Sequence, residues 1–206
     1  MSRAARQGLL ALDGDGVLVD YHEGYARAWE RAFGTRPRVR DPLGYHPLAY
    51  WDVPHLSEEG LRHFHDHGLN EEGWASFPAM PGAAQACELL RDAGYDLVCV
   101  TALQAQYKAA RETNLRELGM GISAVHAVGA PGLGNPKTAI LRQLQPQAFV
   151  DDCLPFLQRV PRSIWRALIE GRPHGSPNRD PRCVPPNARY ASLLEFAEAW
   201  VARPPR

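Results

Sequence analysis

Leu9-Leu10-Ala11-Leu12-Asp13-Gly14-Asp15-Gly16-Val17-Leu18 is an apolar run that ends in two acids one residue apart, each followed by glycine. An apolar run of this length reads as a buried strand, and the glycines at its end turn the chain sharply. Both carboxylates then stand at the carboxyl edge of a strand, where open α/β sheets hold their ligands. Such a pair can hold a divalent cation through oxygen and leave one acid free to attack or to move a proton.

Three further features follow in chain order. Asp96-Leu97-Val98-Cys99-Val100-Thr101 is a second apolar run, ending in a hydroxyl. Gly134-Asn135-Pro136-Lys137 places a lysine at the start of a helical pattern, and Ala148-Phe149-Val150-Asp151-Asp152 is a third apolar run that ends in paired acids. Each motif alone is a weak signal, since acidic turns after strands are common. Their joint order resembles the haloacid dehalogenase superfamily, whose motifs are Asp-x-Asp, a Thr or Ser, a Lys and a closing acidic pair. The resemblance spans residues 9–152.

Composition is ordinary for one globular domain with a sizeable core: 206 residues, 45% hydrophobic and 22% charged. Twenty-three basic and 23 acidic residues cancel. No overall field therefore draws a nucleic acid polymer or an anionic membrane. The apolar stretches are too short to span a bilayer, and Met1–Gln7 lacks the apolar segment of a secretion signal. A cytoplasmic address is the expectation. The four cysteines show no Cys-x-x-Cys spacing, so no structural disulfide is expected, and Cys99 reads as a small core hydrophobe.

Alternating strand and helix patterns over residues 80–206 argue an α/β fold: a Rossmann-like, mainly parallel sheet with helices on both faces. The expected elements are a helix over 82–93, a strand over 96–101, a helix over 104–118 burying Ala105, Ala109, Leu115 and Leu118, and a strand over 122–128. Asn135 and Pro136 suit the N-cap and first position of the next helix, which puts Lys137 in its first turn as part of an anion site. A strand over 147–151, a helix over 154–160, a strand over 163–169 and a final helix opened by Ser192 and Glu195 complete the pattern. Residues 171–188 hold five prolines and two glycines and read as a long surface loop.

Residues 1–20 and 80–206 therefore form the core domain, and residues 21–79 interrupt it with a different texture. The interruption falls where the resembled family inserts its C1 cap, so a small helical cap domain is implied. Ten of the 18 aromatic residues lie there. They read first as the cap's own core, and second as a platform for a planar substrate. His63, His65 and His67 read as a solvated helix face, with a substrate contact as their functional version.

The resemblance implies a Mg²⁺-dependent phosphatase acting on a small phosphomonoester. Asp13 would be the nucleophile and form an aspartyl phosphate. Asp15 would protonate the leaving group and then deprotonate the attacking water. Thr101 and Lys137 would hold phosphoryl oxygens, Lys137 would also steady Asp13, and Asp13, the Asp15 main chain, Asp151 and Asp152 would carry Mg²⁺. A dehalogenase attacking carbon needs no proton donor at the second acid, so Asp15 points to phosphoryl transfer. The partner would be a phosphorylated metabolite, a sugar phosphate or nucleotide; small cap and chain length resemble the deoxyribonucleotidase branch. A phosphotransferase or mutase with the same nucleophile is the alternative enzyme, and a non-catalytic binding module is the alternative of another class.

Overall fold

The computed structural model describes residues 7–129 and 134–203; Met1–Arg6, on which the expectation about a secretion signal chiefly rests, lie outside them. In chain order the elements are β1 (Gly8–Leu12), α1 (Tyr21–Phe33), α2 (Pro47–Tyr50), α3 (Glu58–His67), α4 (Glu71–Ala75), α5 (Ala83–Asp92), β2 (Tyr95–Thr101), α6 (Lys108–Glu117), β3 (Ala124–Ala127), α7 (Thr138–Leu144), β4 (Ala148–Asp151), β5 (Trp165–Ile169), β6 (Ala188–Tyr190) and α8 (Leu193–Val201).

The six strands form one sheet in the order β3-β2-β1-β4-β5-β6, with every pairing parallel. β1 is central, paired with β2 through Leu12 opposite Cys99 and with β4 through Leu12 opposite Val150. A strand covered on both faces has no polar side to show, hence the unbroken apolar run before Asp13. Side chains alternate between those faces. Leu10 and Leu12 join the layer formed with α5 and α8, among them Ala86, Leu90, Phe196 and Trp200. Ala11 faces the other layer, with Leu141 of α7 and Leu154 and Leu157. Leu10 and Leu12 are fully buried, each worth about 1.5–3 kcal/mol relative to exposure.

The expected α/β fold is present, with local corrections. Residues 154–157 form a single 3-10 turn, where Pro155 removes a backbone donor. β6 was not anticipated: three residues are too few for a periodic signal. α6 buries Ala110, Arg111, Asn114 and Leu115, whereas Ala105 and Ala109 are exposed. The alanine spacing set the wrong phase. The capping box of α8 is displaced by one residue: Glu195 N donates to Ser192 Oγ at 3.1 Å, but the Glu195 carboxylate accepts from Ala191 N.

Between β1 and α5 run four helices and no strand of the sheet. Asp20 caps α1, its carboxylate accepting from Glu23 N at 3.0 Å. Tyr25 and Trp29 of α1 pack on Phe64 of α3 with ring centroids 5.1 and 5.7 Å apart, so these aromatics form a core for the segment. The segment leaves and re-enters at one place, where Val19 bridges Ala79 and Met80 N donates to Leu18 O at 3.0 Å.

The loop after β5 is half-buried in its middle. Tyr45 N donates to His174 O and His174 N to Leu43 O, each at 2.9 Å, which ties this loop to the helical insertion. Asn178 links it to the sheet, donating to Asp152 O and accepting from Leu154 N. No helix among the described residues is long and apolar enough to cross a membrane.

Candidate active site

The strand order reverses direction between β1 and β4, which opens a crevice beyond their carboxyl ends. Asp13 follows β1, Asp151 ends β4 and Thr101 ends β2, so residues far apart in the chain meet at neighbouring strand tips. Asp13 N donates to Val150 O at 2.9 Å and locks the two central tips together. Carboxylate oxygens of Asp13, Asp151 and Asp152 come within 4.8 Å of one another.

Both glycines of the first motif approach side chains of the site closely, and at Gly16 no side chain fits without displacing one. Gly16 has φ +80°, and a Cβ there would lie 2.5 Å from Asp152 Oδ2. A Cβ on Gly14 would sit 3.2 Å from Thr101 Oγ1. The turn thus brings its backbone against the threonine on one side and the closing acid on the other. Gly16→Ala is expected to lower stability by about 1–3 kcal/mol through its left-handed backbone alone. It should also displace the Asp152 carboxylate; an unchanged denaturation midpoint would contradict this account.

Lys137 is fully buried. Its ammonium lies 2.7 Å from Asp13 Oδ1 and 2.7 Å from Asp151 Oδ2. It lies just before α7 rather than in its first turn, and its backbone N–H donates to Asn135 Oδ1. Asn135 in turn donates to Phe156 O and Gln158 O, fixing the lysine's approach from the turn after β4. The ammonium thus bridges two carboxylates, Asp13 as the resemblance implies and Asp151 besides. Burial alone would pull this ammonium's pKa down, but Asp13 and Asp151 outweigh it and push it up.

One ammonium stands against a cluster of three carboxylates, so with all three ionised two negative charges are left over. Burial pushes Asp151 up to about 7, with Lys137 pulling against it and the Asp13 charge adding to it. Burial, and after it the charges of Asp151 and Asp13, push Asp152 well above the ordinary carboxylate range. The two acids differ in their partners. Asp151 Oδ1 accepts from Cys153 N and Oδ2 from Lys137, so both its oxygens are engaged. Among the described residues the Asp152 carboxylate accepts one hydrogen bond, from the Tyr45 hydroxyl at 3.4 Å. An all-oxygen cluster with two excess negative charges fits a divalent cation such as Mg²⁺.

Asp15 points into the same cavity with its side chain 27% exposed, and it meets a partner the motifs did not disclose. Arg111 Nη2 of α6 lies 2.7 Å from Asp15 Oδ1. This guanidinium is fully buried, donates to Asn114 Oδ1, and sits 5.5 and 5.1 Å from the rings of Trp74 and Phe77. Asn114 donates onward to Phe77 O. Burial pushes the Asp15 carboxyl up, and Arg111 draws it only part of the way back. The signal in the sequence was an arginine and an asparagine three apart on the face that carries Leu115, legible once that leucine sets the helix phase.

A cavity of about 340 Å³ opens over these groups, with Thr101 and Asp152 in its lining. The helical insertion adds Tyr45 and His46, and the loop after β5 adds Arg172. The histidines of α3 belong to a different place. The rings of His63 and His67 lie 4.4 Å apart, tilted to one another, on an exposed face, and His63 Nε2 lies 2.8 Å from Ala32 O. Among the described residues, the grouping of potential metal ligands is the aspartate cluster. Cys99 is fully buried in β2, as a core hydrophobe would be.

No family model and no curated protein matches the chain. Solved structures do match it. A haloacid dehalogenase-like hydrolase from Streptococcus pneumoniae shares 16% identity, covering 94% of this chain and 98% of its own, with a TM-score of 0.64. L-2-haloacid dehalogenase from Xanthobacter autotrophicus shares 13%, covering 96% and 99%, with a TM-score of 0.62. D,D-heptose 1,7-bisphosphate phosphatase from B. bronchiseptica, complexed with magnesium and phosphate, shares 16%, covering 94% and 98%, with a TM-score of 0.57. From its first strand to its last helix, the chain has the fold of the haloacid dehalogenase hydrolases.

Proposed function

We propose that the protein is a Mg²⁺-dependent phosphatase that hydrolyses a small phosphomonoester through an aspartyl phosphate on Asp13. The observation that carries this reading is the convergence of three acids and one buried ammonium at adjacent strand tips, with a second acid, Asp15, beside them. A structural neighbour complexed with magnesium and phosphate supports it. The presence of Asp15 weighs against the dehalogenase chemistry of another neighbour, since attack on carbon needs no proton donor there.

Asp13 Oδ1 is held by Lys137 and by Gly14 N, which leaves Oδ2 as the attacking oxygen. As Oδ2 bonds to phosphorus, the bond from phosphorus to the leaving oxygen breaks and Asp15 gives that oxygen its proton. A raised carboxyl pKa keeps that proton available at the start. Water then attacks phosphorus, Asp15 takes its proton, and inorganic phosphate leaves Asp13. Thr101 would donate its hydroxyl to a phosphoryl oxygen, while Lys137 orients Asp13 and Asp151.

Asp13, Asp152 and the Asp15 main chain would hold Mg²⁺, with Asp151 behind them on Lys137. The cation would supply positive charge to the phosphoryl oxygens as negative charge builds there. Residues 21–79 would act as the cap, covering the core of residues 1–20 and 80–206 and excluding water. Arg111 would keep Asp15 oriented from a helix that itself packs against the insertion.

Asp15→Asn tests the assignment through its dependence on the leaving group. Turnover of an alkyl phosphate should fall about 10²–10⁴-fold. With p-nitrophenyl phosphate, whose leaving group needs no proton, the first step should persist and hydrolysis of the intermediate should become limiting, giving a burst of nitrophenol. Equal losses on both esters without a burst would remove Asp15 from the proton path.

A further inference from the structure

We propose that the phosphomonoester taken by this site carries a second oxyanion, a carboxylate or another phosphate, and that Arg172 receives it. The inference rests on the phosphatase reading and names the substrate class for the same site. Arg172 follows β5 by three residues and lines the cavity that holds Asp13, Asp15 and Asp152. Among the described residues, two cations that touch those acids are already paired, Lys137 with Asp13 and Asp151, and Arg111 with Asp15.

Arg172 differs. Among the described residues it meets no carboxylate and donates to no carbonyl; its guanidinium lies 4.4 Å over the ring of Tyr50. A cation–π contact takes up none of the guanidinium's N–H donors, and their fixed fork suits bidentate recognition of a carboxylate or phosphate. A half-buried cation whose donors have no protein partner suits an anion that arrives with the substrate.

The platform is fixed from both sides. Tyr50 packs against His22 and Trp51 with ring centroids 4.7 Å away in each case, and Trp51 Nε1 donates to His22 O. The loop that carries Arg172 pairs with residues 43–45 through the two backbone bonds of His174. His22 also lines the cavity, and burial together with the Arg172 charge pulls its pKa down to about 4, so the imidazole stays neutral there. The 340 Å³ cavity has room for on the order of ten non-hydrogen atoms at the volume of liquid water. A phosphoryl group alone would leave most of that space to the rest of the substrate.

The test uses the full chain with Mg²⁺ and matched ester pairs: phosphoglycolate against ethyl phosphate for a carboxylate, and propanediol bisphosphate against propyl phosphate for a second phosphate. The charged member of at least one pair should show a kcat/KM about tenfold or more above its uncharged partner, and Arg172→Ala should bring that ratio to about one. Arg172→Lys should keep part of it, since lysine retains the charge without the fork. The pair with the larger ratio identifies the oxyanion. Calorimetric titration of 3-phosphonopropionate and propylphosphonate should reproduce the preference without turnover. Equal constants for charged and uncharged tails in both measurements, or a preference that survives Arg172→Ala, would overturn the proposal. Failure to release phosphate from any ester, p-nitrophenyl phosphate included, would overturn the phosphatase reading instead. The phosphonate titration would then decide the role of Arg172 by itself.

Discussion

Lys137→Met is expected to lower the stability of the protein by about 3–5 kcal/mol near pH 8, because removing one partner of a buried ion pair strands the other. Here two carboxylates are stranded: Asp13 and Asp151 each lie 2.7 Å from the ammonium, and Asp151 has no solvent exposure of its own. For a chain of this length the change corresponds to a fall in Tm of roughly 6–20 °C.

The deficit should depend on pH with a definite sign. Asp151 is already pushed up to about 7 with Lys137 in place, by burial first and by Asp13 second. An acid whose folded pKa lies above its unfolded value of about 4 costs stability as pH rises through that window. Without the ammonium the window extends upward, so the variant should be least stable, relative to wild type, at pH 8 and should recover toward pH 5. Thermal melts at the two pH values measure this directly. Equal Tm deficits at both would show that Lys137 acts through packing on Phe149 and Phe156 rather than through charge.

Asp13→Asn should abolish phosphate release, by about 10⁴-fold or more, since a carboxamide neither attacks phosphorus nor carries the intermediate. Asparagine is isosteric and keeps an oxygen for Lys137 and Gly14 N, so the variant should remain folded. Wild type quenched in acid during turnover should carry one phosphoryl group on the peptide containing Asp13, and the variant should carry none. Turnover retained by Asp13→Asn would sink the covalent mechanism. A phosphoryl group found on a second sugar instead of in solution would turn the reading toward the phosphotransferase alternative.

The strand tips were legible in the sequence because a parallel strand buried on both faces must be continuously apolar. Its end is therefore marked by the first polar residue: Asp13 after β1, Thr101 at the end of β2, Asp151 at the end of β4. α5 was legible for the same kind of reason, as Ala83, Ala86, Cys87 and Leu90 repeat at helical spacing and all four are buried. α6 was misphased because alanine is at home on either face of a helix. Lys137 is legible in position, and its contact with Asp13 follows from the resemblance, but its second partner, Asp151, is not, since spacing gives position along the chain and not everything an ammonium points at.

What the sequence determined by itself, then, was the succession of elements and the identities of the acids at their ends, because local periodicity and turn chemistry depend on near neighbours only. The pairing of Lys137 with two carboxylates, the guanidinium of Arg111 on Asp15 and the seat of Arg172 over Tyr50 were decided by the tertiary structure. Each joins residues from separate elements, and the Asp15 pair alone lies 96 positions apart. Such contacts are specified by how the strands are ordered in the sheet and by how the loops return over it, which no window of sequence contains.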